Sequence, residues 1–221
     1  MKKRFDVITI FPEVVAPYAE ASILGRAQKN KVIAIAAHDL RTWTTDKHHK
    51  VDDSPYGGGP GMVMKVDVIE KGVKALKVRR PAGRKVRVIV TSASGKPFTQ
   101  QDAKRLAKYD QLVFICGRYE GIDARVEEHV ADEAFSVGPY VLTGGELPAL
   151  VMIDAIARHV PGVLGKKASL EEESHGPEGL LEYPQYTKPE VYKKWKVPEV
   201  LLSGNHKKIG EWRKGKQKAA R

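Results

Sequence analysis

The sequence predicts an α/β domain on a mostly parallel sheet, followed by a smaller basic part, and three observations carry that reading. Short β-rich runs alternate with segments of helical hydrophobic period. The run LVFIC (112–116) has no polar alternation, as suits a strand buried on both faces of a parallel sheet. Glycine-bearing loops sit directly after several of the strands.

In order, Phe5 to Ile10 reads as a strand, Ser22 to Lys29 as a helix and Lys31 to Ala37 as a second strand, a β-α-β beginning. Next comes VDDSPYGGGPGM (51–62), with four glycines and two prolines. It is either a floppy connector or a shaped loop, and Pro55, Tyr56 and Pro60 favour the shaped one, because a flexible linker is usually Gly/Ser-rich. Val66, Ile69, Val73 and Leu76 recur at helical spacing, and VRVIV (86–90) follows as a strand. Thr99 is placed as an N-cap, with Asp102 in a capping-box position, for a helix running to about Lys108. After LVFIC, Ile122 to Val130 reads as a short helix and Glu133 to Val137 as a strand. Glu146 to Val160 reads as a long helix, with Pro148 in its tolerant first turn. The α/β domain is expected to span residues 1–165. Residues 166–184, acidic and without hydrophobic period, read as a linker. Residues 185–221 read as a small helical part, with helices around Pro189 to Lys196 and from His206.

Composition narrows the class. With 42% hydrophobic and 29% charged residues the chain is globular, and no uncharged run approaches the roughly 20 residues of a membrane-spanning helix. The N-terminal MKKRFDVITIF is interrupted by Asp6 and lacks a small-residue cleavage site, so it reads as a strand and not as a leader. A soluble, cytoplasmic protein is expected. The single cysteine, Cys116, ends an apolar run and reads as a buried small hydrophobe, not a nucleophile. His48, His49, Asp52 and Asp53 do not form a metal site, because adjacent histidines seldom face one ion and no second cluster completes a shell.

The net charge of +11 is uneven: residues 186–221 carry 11 Lys/Arg against 3 Asp/Glu. Trp195 and Trp212 lie among those cations, a mixture suited to a polyanion with stackable bases, although a solvated helix with tryptophans packed on the body fits equally well. A second acid-free basic stretch runs through Lys71, Lys74, Lys77, Arg79, Arg80, Arg84, Lys85 and Arg87. Two such stretches point toward nucleic acid.

Three loops stand after predicted strands: SASGKP (92–97), GRYEG (117–121) and GPYVLTGG (138–145). Ligands of open α/β sheets collect at the carboxyl ends of strands, so together the loops predict a pocket. None is GxGxxG or GxxxxGK[ST], which disfavours a Rossmann dinucleotide site and a P-loop.

VDDSPYGGGPGM, ICGRYEGID (115–123), VGPYVLTGGELPA (137–149), RHVPGVLG (158–165) and LLSGNH (201–206) occur in order along nearly the whole chain. Together they strongly resemble the bacterial tRNA (guanine-N(1)-)-methyltransferases of the TrmD type, members of the SPOUT class. The resemblance implies a C-terminal trefoil knot in the α/β domain, which periodicity alone excludes by default. It also implies methyl transfer from S-adenosylmethionine to ring nitrogen 1 of the guanosine at tRNA position 37. By resemblance the cofactor residues are Thr91, Ser92, Gly117, Arg118, Tyr119, Glu120, Val137, Gly138, Pro139, Tyr140, Val141, Leu142, Gly144 and Gly145. The substrate residues are Asp52, Gly57, Gly58, Gly59, Lys188, Lys193, Asn205 and His206. Glu173 stands where the family has an aspartate general base, and Arg158 matches the arginine that supports it. The resemblance further implies a homodimer with active sites at the interface, the basic tail gripping the anticodon arm, and a weakly held Mg2+ without a dedicated cage.

The sequence departs from the family pattern at several places. Glu173 is one methylene longer than aspartate, Ala93 replaces a usual proline, and Val90 and Pro139 differ from common residues. The tail stops at Arg221, where many relatives continue. Two other readings stay open: a SPOUT methyltransferase with a different RNA target, and a non-catalytic RNA-binding relative.

Overall fold

The computed structural model describes residues 2–77, 85–165 and 180–219. The chain divides into two compact units, Met1–Gly165 and Lys166–Arg221.

In the first unit the elements run β1 (Lys3–Thr9), α1 (Ala16–Ala19), α2 (Ser22–Lys29), β2 (Ile33–Asp39), β3 (Asp52–Asp53), β4 (Val63–Met64) and α3 (Val66–Lys77). They continue as β5 (Val86–Pro97), α4 (Gln100–Leu106), β6 (Gln111–Cys116), α5 (Ala124–His129), β7 (Glu133–Ser136) and α6 (Glu146–Arg158). Five strands form one sheet in the order β2-β1-β6-β5-β7, every pair parallel. The α/β class with a parallel sheet therefore holds, and the elements fall within a few residues of their expected limits. The exception is β5, which continues past Val90 to Pro97 through an irregularity between Thr91 and Lys96.

Alternation across the sheet explains the two cores. From β6, Leu112, Phe114 and Cys116 enter one core with Phe5 and Val7, covered by α2, α4 and α6. Val113 and Ile115 enter the other with Ile8, Val88 and Val90, covered by α3 and α5. All six residues of β6 are buried, which is why LVFIC carries no polar alternation. Each such fully buried aliphatic or aromatic side chain contributes about 1.5–3 kcal/mol.

Polar groups fix the periphery. The Thr99 capping box forms as expected, Asp102 N donating to Thr99 Oγ1 at 3.3 Å and Thr99 N to Asp102 Oδ2 at 3.3 Å. Asp102 also receives Lys96 and Arg105, each at 3.1 Å, and Arg105 continues to Glu133 at 2.6 Å. This chain of ion pairs ties β7 to α4. Asp6, buried within the sheet, is met by Arg4 at 2.7 Å, His38 at 2.7 Å and Gln111 at 2.8 Å.

In the second unit, β8 (Leu180–Leu181) pairs antiparallel with β11 (Lys218–Ala219), and β9 (Val191–Tyr192) with β10 (Trp195–Lys196). Between them lie α7 (Glu199–Leu202) and α8 (His206–Lys216). The helix expected around Pro189 to Lys196 is thus a hairpin. Val191, Tyr192 and Trp195 are β-formers, Tyr192 and Trp195 pair across the strands, and Lys193 turns the chain at φ +56°. Trp212 packs against Tyr186 with ring centroids 6.3 Å apart, whereas Trp195 is exposed.

Candidate active site

The carboxyl ends of β5, β6 and β7 open onto a cavity of about 320 Å³. Thr91 and Ser92 reach it from β5, Gly117 to Ile122 from the loop after β6, and Ser136, Val137, Tyr140 and Leu142 to Gly145 from the segment after β7. The GRYEG and GPYVLTGG loops, far apart in sequence, form one site with Ser92 to Ser94; that third segment, expected as a loop, is instead part of β5, because the strand continues to Pro97.

Its shape depends on close backbone approach. A Cβ on Gly145 would lie 2.7 Å from Cys116 Cα and 2.8 Å from Gly117 N, and against Thr91 Oγ1. Gly145 has φ −85°, which any residue adopts, so its requirement is steric. The segment entering α6 passes against the ends of both β5 and β6. Gly95 is similar: a Cβ there would meet Phe135 N at 2.7 Å.

Of the expected cofactor residues, Gly138, Pro139 and Val141 do not line the cavity. Gly138 instead shapes the loop, its carbonyl accepting from Ser136 Oγ at 2.9 Å and from Tyr140 N at 2.9 Å. Val141 faces solvent at 86% exposure. Arg118 lies in the cavity wall, but its guanidinium is committed: Nε and Nη2 donate to Glu146 Oε2 at 3.0 and 2.9 Å, and Nη1 to the Thr143 carbonyl at 3.3 Å. In the sequence Glu146 is legible only as the start of a helix. Thr9, which also bonds Glu146, is legible only as part of a strand. No local signal marks them, since Thr9 and Glu146 stand 137 positions apart.

The glycine loop is shaped. Its ends pair, Asp52 opposite Met64, and it docks on the GRYEG loop through Glu120 N to Met62 O at 3.1 Å and Met64 N to Gly121 O at 3.0 Å. Gly57, Gly58 and Gly59 have φ of +86°, +76° and +122°, with nothing within 4 Å of an added Cβ, so they serve backbone conformation. Asp52 belongs to β3 at the base of this loop. Beside it lies a second depression, shared by Asp53 to Tyr56, Asp123 and Arg125.

Arg158 ends α6 and lines a shallow groove with Tyr18, Leu147, Leu150, Val151 and Asp154, apart from the residues of the main cavity. Glu173 lies outside the described residues. Lys188 is exposed, and Lys193 extends its ammonium over the Tyr192 and Trp195 rings at 5.6 and 6.0 Å. Asn205 caps α8, its side-chain oxygen accepting from Lys208 N at 3.1 Å, and His206 is the first residue of that helix. The second basic stretch is less available than its composition suggests. Lys71 pairs with Asp67 at 3.5 Å, Lys74 with Glu70 at 2.8 Å and Arg87 with Glu133 at 2.9 Å, while Arg79, Arg80 and Arg84 lie outside the described residues.

Burial pushes the Cys116 thiol well above its ordinary range, with Glu146 adding to the effect, so the sulfur stays protonated and is no nucleophile. Among the described residues no three His, Cys, Asp or Glu side chains are grouped to hold a metal ion, and no helix is long and apolar enough to cross a membrane.

A glycine-walled cavity at the carboxyl ends of a parallel sheet defines a ligand-binding α/β protein of the kind that houses an enzyme active site. Residues 3–221 match the tRNA (Guanine-1)-methyltransferase TrmD family. The chain is 49% identical to a tRNA (guanine-N(1)-)-methyltransferase of Geobacter sulfurreducens, covering 96% of this chain and 85% of that protein. It is 50% identical to the protein of the same name from Ruminiclostridium cellulolyticum, with 95% and 89% covered. For that of Thermomicrobium roseum the identity is 53%, with 96% and 77% covered. The chain belongs to the tRNA (guanine-1)-methyltransferase TrmD family.

Proposed function

We propose that the protein is a tRNA (guanine-N(1)-)-methyltransferase that uses S-adenosylmethionine and modifies the guanosine at tRNA position 37. The observation that carries the reading is the cavity where segments of β5, β6 and β7 converge, lined by Gly117, Gly121, Gly144 and Gly145; at Gly144 and Gly145 protein atoms leave no room for a Cβ, so the segments close tightly around the cavity. Such a cradle fits a cofactor held mainly by main-chain groups. Main-chain groups of Val137, Tyr140 and Leu142, which line the cavity, would meet its adenine, with Thr91, Ser92 and residues 117–120 forming the remaining walls. Bound there, S-adenosylmethionine supplies the methyl group from its sulfonium.

The chain itself must manage a proton and a charge. Ring nitrogen 1 of guanine becomes nucleophilic on losing its proton, and the negative charge then spreads to the exocyclic oxygen. Glu173 is assigned as the carboxylate that accepts the proton and Arg158 as the cation that supports the oxygen. The glycine loop, anchored on the GRYEG loop, is assigned to enclose the target base. Mg2+ is assigned no residues.

A homodimer is part of this reading. Leu147 and Val151 leave apolar surface exposed on α6, beside Tyr18 and Arg158. Closing that face against a second copy would bury it and carry Arg158 toward the partner's site, which suits an arginine that does not line its own cavity. The trefoil knot is inferred from family membership, and the tight passages at Gly95 and Gly145 support it. Residues 166–184 act as the linker, and residues 185–221 as the part that grips the anticodon arm.

The test is transfer of labelled methyl from S-adenosylmethionine to a tRNA transcript with guanosine at positions 36 and 37, beside one with adenosine at 37. Transfer to the first alone is expected. Glu173→Gln and Arg158→Ala should each lower kcat at least about 100-fold, the scale set by loss of one preorganised charged group, while cofactor affinity stays intact. Transfer to neither transcript, with both ligands bound, would leave a non-catalytic RNA-binding protein.

A further inference from the structure

Glu146 is 1% exposed, yet it lies against the wall of the cofactor cavity. Its hydrogen bonds run in a fixed direction. Phe11 N donates to Thr9 Oγ1 at 2.9 Å, and Thr9 Oγ1 donates to Glu146 Oε1 at 2.6 Å, since the carboxylate only accepts. Arg118 then grips the same carboxylate, Nε at 3.2 Å from Oε1 and 3.0 Å from Oε2, and Nη2 at 2.9 Å from Oε2. The guanidinium is clamped from its other side by the Phe11 ring, 4.6 Å below it. Its remaining arm donates to the Thr143 carbonyl.

Four segments meet on this one carboxylate: the end of β1, the GRYEG loop, the loop before α6, and α6 itself. The packing leaves no slack. A Cβ on Gly144 would lie 2.6 Å from Glu146 Oε2 and against the guanidinium. Glu146 also begins α6, where a negative charge is favoured by the helix dipole. A salt bridge this buried is costly to desolvate and is weak evidence for a purely stabilising role. The need it meets here is geometric, because two cavity walls hang from it.

We propose that Thr9 and Glu146 are positioning residues for the methyl-transfer reaction: they hold Arg118, and through it the loops at 117–121 and 143–145, in the shape that receives the cofactor. The inference rests on the cavity being the S-adenosylmethionine site. A glutamine at position 146 is a poor substitute, since Arg118 reaches both carboxylate oxygens, whereas an amide offers the guanidinium one neutral oxygen and, with its nitrogen turned to Thr9, reverses the direction of that hydrogen bond. Valine at position 9 keeps the shape of threonine and removes the hydroxyl.

Calorimetric titration with S-adenosylmethionine, without tRNA, measures the effect apart from turnover. Glu146→Gln should weaken binding at least tenfold and Thr9→Val about threefold to tenfold, with Thr9→Ser recovering most of the Thr9→Val loss. In the full reaction, KM for S-adenosylmethionine should rise while KM for tRNA stays within about twofold. Melting temperature, followed in parallel, separates shape from folding. Cofactor affinity unchanged in Glu146→Gln, or weakened only in step with thermal stability and not recovered by Thr9→Ser, would overturn the positioning role and leave the function standing. No binding of S-adenosylmethionine by the unaltered protein would overturn both.

Discussion

Replacing Gly145 by alanine isolates the close approach on which the cavity is built. The added methyl would meet Cys116 Cα at 2.7 Å and Gly117 N at 2.8 Å, well inside van der Waals separation, and both neighbours are main-chain atoms of strand ends that cannot rotate away. Backbone strain contributes nothing, because φ is −85°. Forcing a methyl group into a closed space costs about 1–3 kcal/mol, and obstruction from two backbone sides puts this site at the upper end. At roughly 2–4 °C per kcal/mol for a chain of this size, the melting temperature should fall by about 6–12 °C. The segment before α6 must also shift outward, and S-adenosylmethionine affinity should drop at least tenfold. Gly165→Ala is the control, since nothing lies within 4 Å of its Cβ. Thermal melts and calorimetric titration of both variants decide the matter. A Gly145→Ala protein that melts within about 2 °C of the original and binds the cofactor equally well would refute the claim that this passage shapes the site.

Other expectations follow from the same geometry. At Asp6, Asp102 and Glu133 burial alone would raise the carboxyl pKa, but hydrogen bonds outweigh it and hold all three below their ordinary values: from His38, Arg4 and Gln111 at Asp6, from Thr99, Arg105 and Lys96 at Asp102, and from Arg105 and Arg87 at Glu133. The unfolded chain then binds more protons in acid, so stability present above about pH 4 is lost as the pH falls through the folded values. Urea unfolding from pH 6 to 3 should show that decline, less steeply in Asp102→Asn, and a flat profile would contradict it. Val151→Asp places a charge on the exposed apolar face of α6 and should yield monomers in sedimentation, whereas an unchanged dimer mass would move the interface elsewhere. Binding of tRNA should weaken steeply with salt, and Lys193→Ala should reduce the log–log slope by about 0.9 if its ammonium meets a phosphate; an unchanged slope would remove Lys193 from the contact.

The parts of the fold that local chemistry dictates could be read from the sequence. Unbroken apolarity in 112–116 announced the central strand, and Thr99 with Asp102 announced the start of α4. The hairpin at Val191–Lys196 is not legible because its short basic run resembles a helix, and the cross-strand pairing of Tyr192 with Trp195 decides it. Basic residues 71–87 looked like a patch because sequence counts charges without their partners, and α3 and β7 supply acids to several of them. In the site, glycine marked the loops, and their convergence followed from strand order. The Thr9–Glu146–Arg118 junction could not be read, since it exists only once the ends of β1 and β6 stand side by side.

The central strand has a consequence for how the cavity behaves over time. β6 is bonded along both edges and covered on both faces, and it runs directly into Gly117. Its amides should be the last in the domain to exchange with heavy water, released only by global opening, while those of residues 57–61 exchange almost at once. The cavity would therefore have a fixed floor, with the glycine loop that docks on its GRYEG wall as the part that breathes. Ligands that reach down to Gly117 should meet the same surface at every instant, and ligands held against residues 57–61 should sample a changing one.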